Sequence, residues 1–153
     1  MNVVKIAEVF AQKYEAGEDF TGMFGFDDRM CMQVEQRAHQ LYLRGKYEKA
    51  QVLLEGLISM NTTRAYPYQL LGEIAYKSCL YDEALALWEK SAQLDGDDIW
   101  TTMKLAELHM QFGRLSQARP LLEKVIRCDD PRAVLLVKRA ECLKDILDER
   151  GAS

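Results

Sequence analysis

The sequence repeats itself without insertion or deletion. The stretch GKYEKAQVLL (Gly45–Leu54) returns as CLYDEALALW (Cys79–Trp88) and again as GRLSQARPLL (Gly113–Leu122), each copy 34 positions after the last. An interval of that length kept over three copies constrains the chain more than its composition does. Each unit must fold in the same way, and a unit so short cannot bury its own apolar face, so neighbours must cover one another.

The columns of the repeat predict what each unit is. Three units are taken, 31–64, 65–98 and 99–132. One column holds Ala38, Gly72 and Ala106, and another holds Ala50, Ala84 and Ala118. Small residues at these positions let two helices approach closely. Leu54, Trp88 and Leu122 supply bulk, as do Leu57 and Val125, with Ser91 a gap between them. Gly45, Cys79 and Gly113 mark a turn between the two helices of each unit. In the second unit Ala84, Leu87, Trp88, Ser91 and Ala92 share one helical face. The expectation is an all-α chain of three helix hairpins. Residues 133–153 follow as a closing helix and tail, with Leu136, Val137, Ala140, Leu143 and Leu147 on one stripe that ends before Gly151. Cys79 in place of a glycine predicts a slightly different second turn. Pro120 is expected near enough to the start of its helix to cause only a slight bend.

Residues 1–30 stand apart as an N-terminal helix and linker. Val3, Ile6, Ala7, Phe10 and Tyr14 form the stripe of a short amphipathic helix. Glycines then stop it, and Phe20, Met23, Phe24 and Phe26 need cover. Folding onto the first unit as a cap would provide it, and so would a second copy of the chain in a dimer.

Several function classes lose support. Net charge is −4, and no Lys/Arg stripe offers the phosphate neutralisation that nucleic-acid binding requires. No segment is apolar over the length of a membrane span, and the N-terminus has no continuous apolar stretch suited to a signal peptide, so a cytoplasmic location is expected. Cys31, Cys79, Cys128 and Cys142 form no CxxC pair and lie at no ligand spacing from the two histidines. They are expected to be reduced thiols used as small apolar side chains, with no metal bound. There is no HExxH, no phosphate loop and no nucleophile–base arrangement, so no catalytic residue and no cofactor is assigned. His109 aligns with Leu41 and Ala75, an inward column, and reads as a packed histidine.

The period, with Leu71-Gly72, Tyr81, Ala84 and Leu94-Asp95 and their copies, resembles the tetratricopeptide repeat. That resemblance implies a solenoid whose concave groove is lined by the first helix of each hairpin. By register the lining is Met32, Glu35, His39, Tyr42 and Leu43 in the first unit. The second contributes Tyr66, Gln69, Glu73, Tyr76 and Lys77, and the third Trp100, Met103, Glu107, Met110 and Gln111. Exposed aromatic and methionine side chains at this density point to peptide recognition. Tetratricopeptide domains that grip acidic C-terminal tails use a clamp of basic residues here. This chain has Glu35, Gln69 and Met103 in one such column and His39, Glu73 and Glu107 in the other, which would repel such a tail.

A more specific likeness follows from the order of parts. LYLRGKYEKAQVLLEGL (Leu41–Leu57), FGFDDRM (Phe24–Met30) and LLEKVIRCDDPRAVLLVKRAECLKDI (Leu121–Ile146) resemble the class II chaperones of bacterial type III secretion. Ile58-Ser59-Met60 stands where that family often has an aromatic and a cysteine. The resemblance implies a non-enzymatic chaperone that holds an extended hydrophobic segment of exported translocator proteins in its groove. The segment stays soluble in the bacterial cytoplasm before export, and no nucleotide is needed. It also implies a homodimer formed through the N-terminal region, where Phe20, Met23, Phe24 and Phe26 lie. A chaperone for a needle subunit and a general scaffold joining cytoplasmic proteins are the competing readings.

Overall fold

The computed structural model describes residues 28–60 and 63–151, together with Lys5, Glu8 and Gln12. The stripe Val3 to Tyr14 and the aromatic set Phe20, Met23, Phe24 and Phe26 lie outside the described residues. Seven α-helices make up the described chain: α1 (Asp28–Leu43), α2 (Tyr47–Met60), α3 (Ala65–Lys77), α4 (Tyr81–Leu94), α5 (Ile99–Gln111), α6 (Leu115–Ile126) and α7 (Val134–Gly151). They fall into two compact units, Met1–Leu94 and Asp95–Ser153.

The first unit contains two hairpins. In the first, α1 buries Cys31, Val34, Ala38 and Leu41 against Ala50, Leu53, Leu54 and Leu57 of α2, and the cluster extends to Leu70, Leu71 and Ile74 of α3. In the second, α3 and α4 meet at Gly72. A Cβ built there would stand 2.4 Å from the indole of Trp88, so only glycine admits this crossing. Trp88 Nε1 donates to the carbonyl of Gln69 at 3.2 Å, and Ser91 Oγ donates to that of Ala65 at 3.1 Å. The Ser91 gap in the apolar column is therefore a polar tie between the ends of the two helices, buried and satisfied.

The second unit packs α5, α6 and α7 about Met103, Ala106, Ala118, Leu122, Val125, Ala140 and Leu147, with Leu136 and Leu143 partly buried against them. Asp98 caps α5, accepting from Trp100 N at 3.0 Å and Thr101 N at 3.3 Å. A short 3₁₀ turn, Pro131–Ala133, precedes α7 and was not foreseen; Asp130 caps it through Arg132 N at 2.9 Å. Ion pairs join Arg119 to Asp148 and Arg139 to Glu107. Pro120 is the sixth residue of α6 and not part of its first turn, yet the helix continues through it to Ile126. The ring is exposed, and the missing N–H is absorbed on the solvent side.

The three hairpin turns are one structure repeated. Gly45 N donates to Tyr42 O at 2.9 Å and Lys46 N to Leu41 O at 2.9 Å; Cys79 and Leu80 bond in the same way to Tyr76 and Ala75, and Gly113 and Arg114 to Met110 and His109. This paired pattern closes a helix in the Schellman manner, with a left-handed residue just past its end. Gly45 has φ 71°, Gly113 69° and Cys79 61°. The second turn therefore keeps its geometry despite cysteine, and the backbone of Cys79 carries the strain. Cys79→Gly should stabilise the chain by about 0.5–1 kcal/mol, relief of left-handed strain exceeding the larger unfolded-state entropy of glycine. Urea unfolding measures this, and an unchanged or lower midpoint would contradict it.

Candidate peptide-binding face

The first helices of the two hairpins in the first unit, α1 and α3, bring a set of ring side chains together. Tyr66 Oη lies 2.7 Å from Nδ1 of His39. The His39 ring centroid stands 6.3 Å from those of both Tyr42 and Tyr66. Tyr42 stacks at a tilt on Tyr47, 5.6 Å away, and Lys77 Nζ sits 5.7 Å from the Tyr42 centroid. The i, i+3 spacing of His39 and Tyr42 puts both on one side of α1, and the hairpin crossing sets Tyr66 beside them. Burial raises the hydroxyl pKa of Tyr42, with the nearby Glu73 carboxylate adding to the effect. Burial also pushes the Tyr66 hydroxyl up to about 12, helped by Glu35. Both phenols stay protonated at neutral pH and remain hydrogen-bond donors on a half-apolar surface.

Other expected lining residues divide clearly. On α1, Met32 and Leu43 are exposed. On α3, Gln69 and Glu73 are half-buried, and Tyr76 is partly exposed with its ring 5.4 Å from Tyr81 and 5.7 Å from Trp88. On α5 in the second unit, Trp100 is 52% exposed. Met110 is partly buried against the core of that unit. Met103 corrects the expectation: it is 1% exposed and belongs to the core with Ala106 and Leu122. Glu107 pairs with Arg139 of α7 at 2.6 Å.

Glu35 is likewise not an open groove residue. It is buried, and Arg64 grips it with two bonds, Nε to Oε1 at 2.7 Å and Nη2 to Oε2 at 2.9 Å, while Nη1 reaches Asp28 at 3.0 Å. Arg64 occupies the N-cap position of α3 but makes no side-chain cap bond there. Its guanidinium instead ties α3 back to α1, and the Glu35 bonds raise its pKa further. Sequence reasoning missed this pair, since the repeat columns place Asp98 and Arg132 at the equivalent positions and give no pattern. Arg64→Ala leaves the Glu35 carboxylate buried without its partner and should cost about 1–2 kcal/mol, discounted for the partial exposure of the guanidinium. Glu35→Leu in the same background should recover part of the loss. Thermal melts of the two variants check both, and an Arg64→Ala protein as stable as the parent would refute the assignment.

His109 is buried, as its inward column implies. Cys31 is in the core, but Cys79 and Cys142 are exposed and Cys128 is half-buried, so the packing role expected of all four thiols holds fully only for Cys31. Among the described residues no group of three or more His, Cys, Asp or Glu is placed to hold a metal ion, and no helix is long and apolar enough to cross a membrane.

A family comparison addresses the repeat directly. Residues 80–140 match the tetratricopeptide repeat family. The match covers α4, α5, α6 and the start of α7, and the earlier copies extend the same 34-residue register. A search of curated proteins finds no match. Solved structures share the fold. The type III secretion translocator chaperone SycD of Yersinia enterocolitica superposes with a TM-score of 0.76 at 20% identity, covering 84% of this chain and 90% of its own. PcrH, whose free structure is from Pseudomonas aeruginosa, was solved in complex with the chaperone binding region of PopD; that structure gives 0.73 at 22% identity, covering 83% and 97%. A type III secretion complex from Aeromonas hydrophila gives 0.75 at 17% identity, covering 97% and 98%. The chain has a tetratricopeptide-type, all-α fold similar to that of translocator chaperones.

Proposed function

We propose that this chain is a non-enzymatic chaperone of bacterial type III secretion, binding an extended hydrophobic segment of an exported translocator and keeping it soluble in the cytoplasm. The observation that carries the reading is the ring cluster of His39, Tyr42 and Tyr66 on the α1–α3 face. Two phenol hydroxyls, an imidazole and the half-buried Gln69 and Glu73 supply hydrogen-bonding groups among apolar ring faces. That combination suits an extended backbone with apolar side chains, since rings give contact area at low entropic cost and their polar tips serve the peptide groups. Met32, Leu43 and Tyr76 widen the apolar surface on the same two helices. Support comes also from the shared fold. SycD has been solved with a peptide of the translocator YopD, and PcrH with the chaperone binding regions of PopD and PopB. Dimerisation through Phe20, Met23, Phe24 and Phe26 belongs to the same proposal, and SycD has a described alternative dimer.

Binding alone masks an apolar segment, so the proposal needs no nucleotide, metal or catalytic group. The test is client dependence. In a host strain lacking this chain, a secreted protein with long hydrophobic segments should become insoluble or be degraded, and the wild-type chain supplied in trans should restore it. A host in which every secreted hydrophobic protein keeps its level and solubility would overturn the chaperone reading in favour of a scaffold.

A further inference from the structure

The second hairpin turn departs from the other two in chemistry though not in backbone. The three turns read Gly45-Lys46-Tyr47-Glu48-Lys49, Cys79-Leu80-Tyr81-Asp82-Glu83 and Gly113-Arg114-Leu115-Ser116-Gln117. The residue just after the left-handed position is basic in the first and third, Lys46 and Arg114, and is leucine in the second. Three residues on, Lys49 and Gln117 correspond to Glu83. Counting Lys46, Glu48 and Lys49, then Asp82 and Glu83, then Arg114, the turns carry +1, −2 and +1. Leu80 is 53% exposed, held there by its backbone bond to Ala75 O at 2.9 Å.

At this turn the first unit has a cavity of about 320 Å³ between α2, α3 and α4. Ile58, Leu71, Leu80 and Leu87 line it with apolar surface, and Glu55 and Glu83 are the charged residues among its walls. Gln51 Nε2 donates to Glu55 Oε1 at 2.7 Å, which orients that carboxylate. None of the residues of the α1–α3 ring cluster takes part. The volume lies at the lower end of the range for ligand sites and suits one large side chain. Apolar walls with two carboxylates and, among the described residues lining them, no cation select an apolar anchor accompanied by positive charge.

We propose that this cavity is a second peptide site, which takes a leucine-sized apolar side chain flanked by lysine or arginine. The anchor fills the space against Leu71 and Leu87. The flanking cation lies by Glu83 and Glu55, and the exposed Leu80 closes over the anchor. The site stands independently of the α1–α3 face and of the client proposed for it.

The probe is the acetylated, amidated peptide Ser-Arg-Leu-Leu-Lys-Ser, titrated into the full chain with ¹³C-labelled methyl groups. The expected result is saturable shifts in the methyls of Ile58, Leu80 and Leu87. The double variant Leu80→Lys/Glu83→Lys carries the residues that the first turn has at these positions, so it keeps the turn; unmoved methyl signals of Leu53 and Leu54 report its fold. It should bind the probe at least tenfold more weakly, by about 1.4 kcal/mol. Replacing the flanking Arg and Lys of the probe by Asp should abolish the shifts. Equal affinity of the double variant, equal binding of the acidic peptide, shifts confined to methyls outside the cavity such as Leu43, or no saturable shift at millimolar peptide would each overturn the proposal.

Discussion

Gly72→Ala should lower stability by about 2–3 kcal/mol, despite alanine's advantage of up to about 1 kcal/mol in a helix interior. Two effects oppose each other, and the geometry decides between them. Alanine is the better helix former, and an unpacked Gly72 would gain from the change. Here the new methyl carbon would sit 2.4 Å from both Cδ1 and Nε1 of Trp88. The indole is 1% exposed and bonded through Nε1 to Gln69 O, so it has little room to move. The α3–α4 crossing must open instead, which also strains the bond from Ser91 to Ala65. Chemical denaturation of the single variant checks this, with Trp88 fluorescence as a second reading of the displaced ring. Stability equal to the parent's would mean that the hairpin crossing is not as described.

The second large effect concerns binding. Tyr42→Ala/Tyr66→Ala removes the two phenols of the ring cluster and should weaken client-segment binding by about 100-fold, near 2.7 kcal/mol, as expected for paired aromatic anchors. Both rings pack partly against the core of the first unit, so some stability is lost with them. Binding should therefore be measured well below the variant's melting temperature, with helical content confirmed by circular dichroism. Tyr42→Phe/Tyr66→Phe separates the ring from the hydroxyl. It keeps the apolar area, so it should retain most of the affinity lost by the alanine pair. If phenylalanine and alanine pairs lose equally, the hydroxyls rather than the ring faces hold the client.

Much of this architecture was legible in the sequence because the period is strict. Ala38, Ala50, Ala84, Ala106 and Ala118 were placed at close helix approaches by column alone, and all are fully buried. Leu136, Ala140, Leu143 and Leu147 gave the inner stripe of α7 from helical spacing. Three features were hidden for distinct reasons. Met103 sits in a column that faces outward in the generic repeat, but here it joins Ala106 and Leu122 in the core of the second unit. Periodicity reports which face a residue occupies, not whether neighbouring side chains close over it. The Glu35–Arg64 pair links positions 29 apart with no counterpart in the other repeats, so no pattern announces it. Cys79 predicts a slightly different turn because glycine is the usual left-handed residue; the hydrogen bonds from Cys79 N and Leu80 N hold cysteine in the same conformation. Of the ring cluster, the positions of His39, Tyr42 and Tyr66 on first helices were readable, while the contact of Tyr66 with His39 depends on how the hairpins cross.

Affinity capture of the chain from its native host, with bound proteins identified by mass spectrometry and the Tyr42→Ala/Tyr66→Ala variant run in parallel, tests the central claim most directly. The account predicts that the wild type recovers one or two exported proteins with long hydrophobic segments and that the variant loses them. Recovery of a small helical needle subunit, of ordinary soluble proteins, or of the same client by both forms would contradict it.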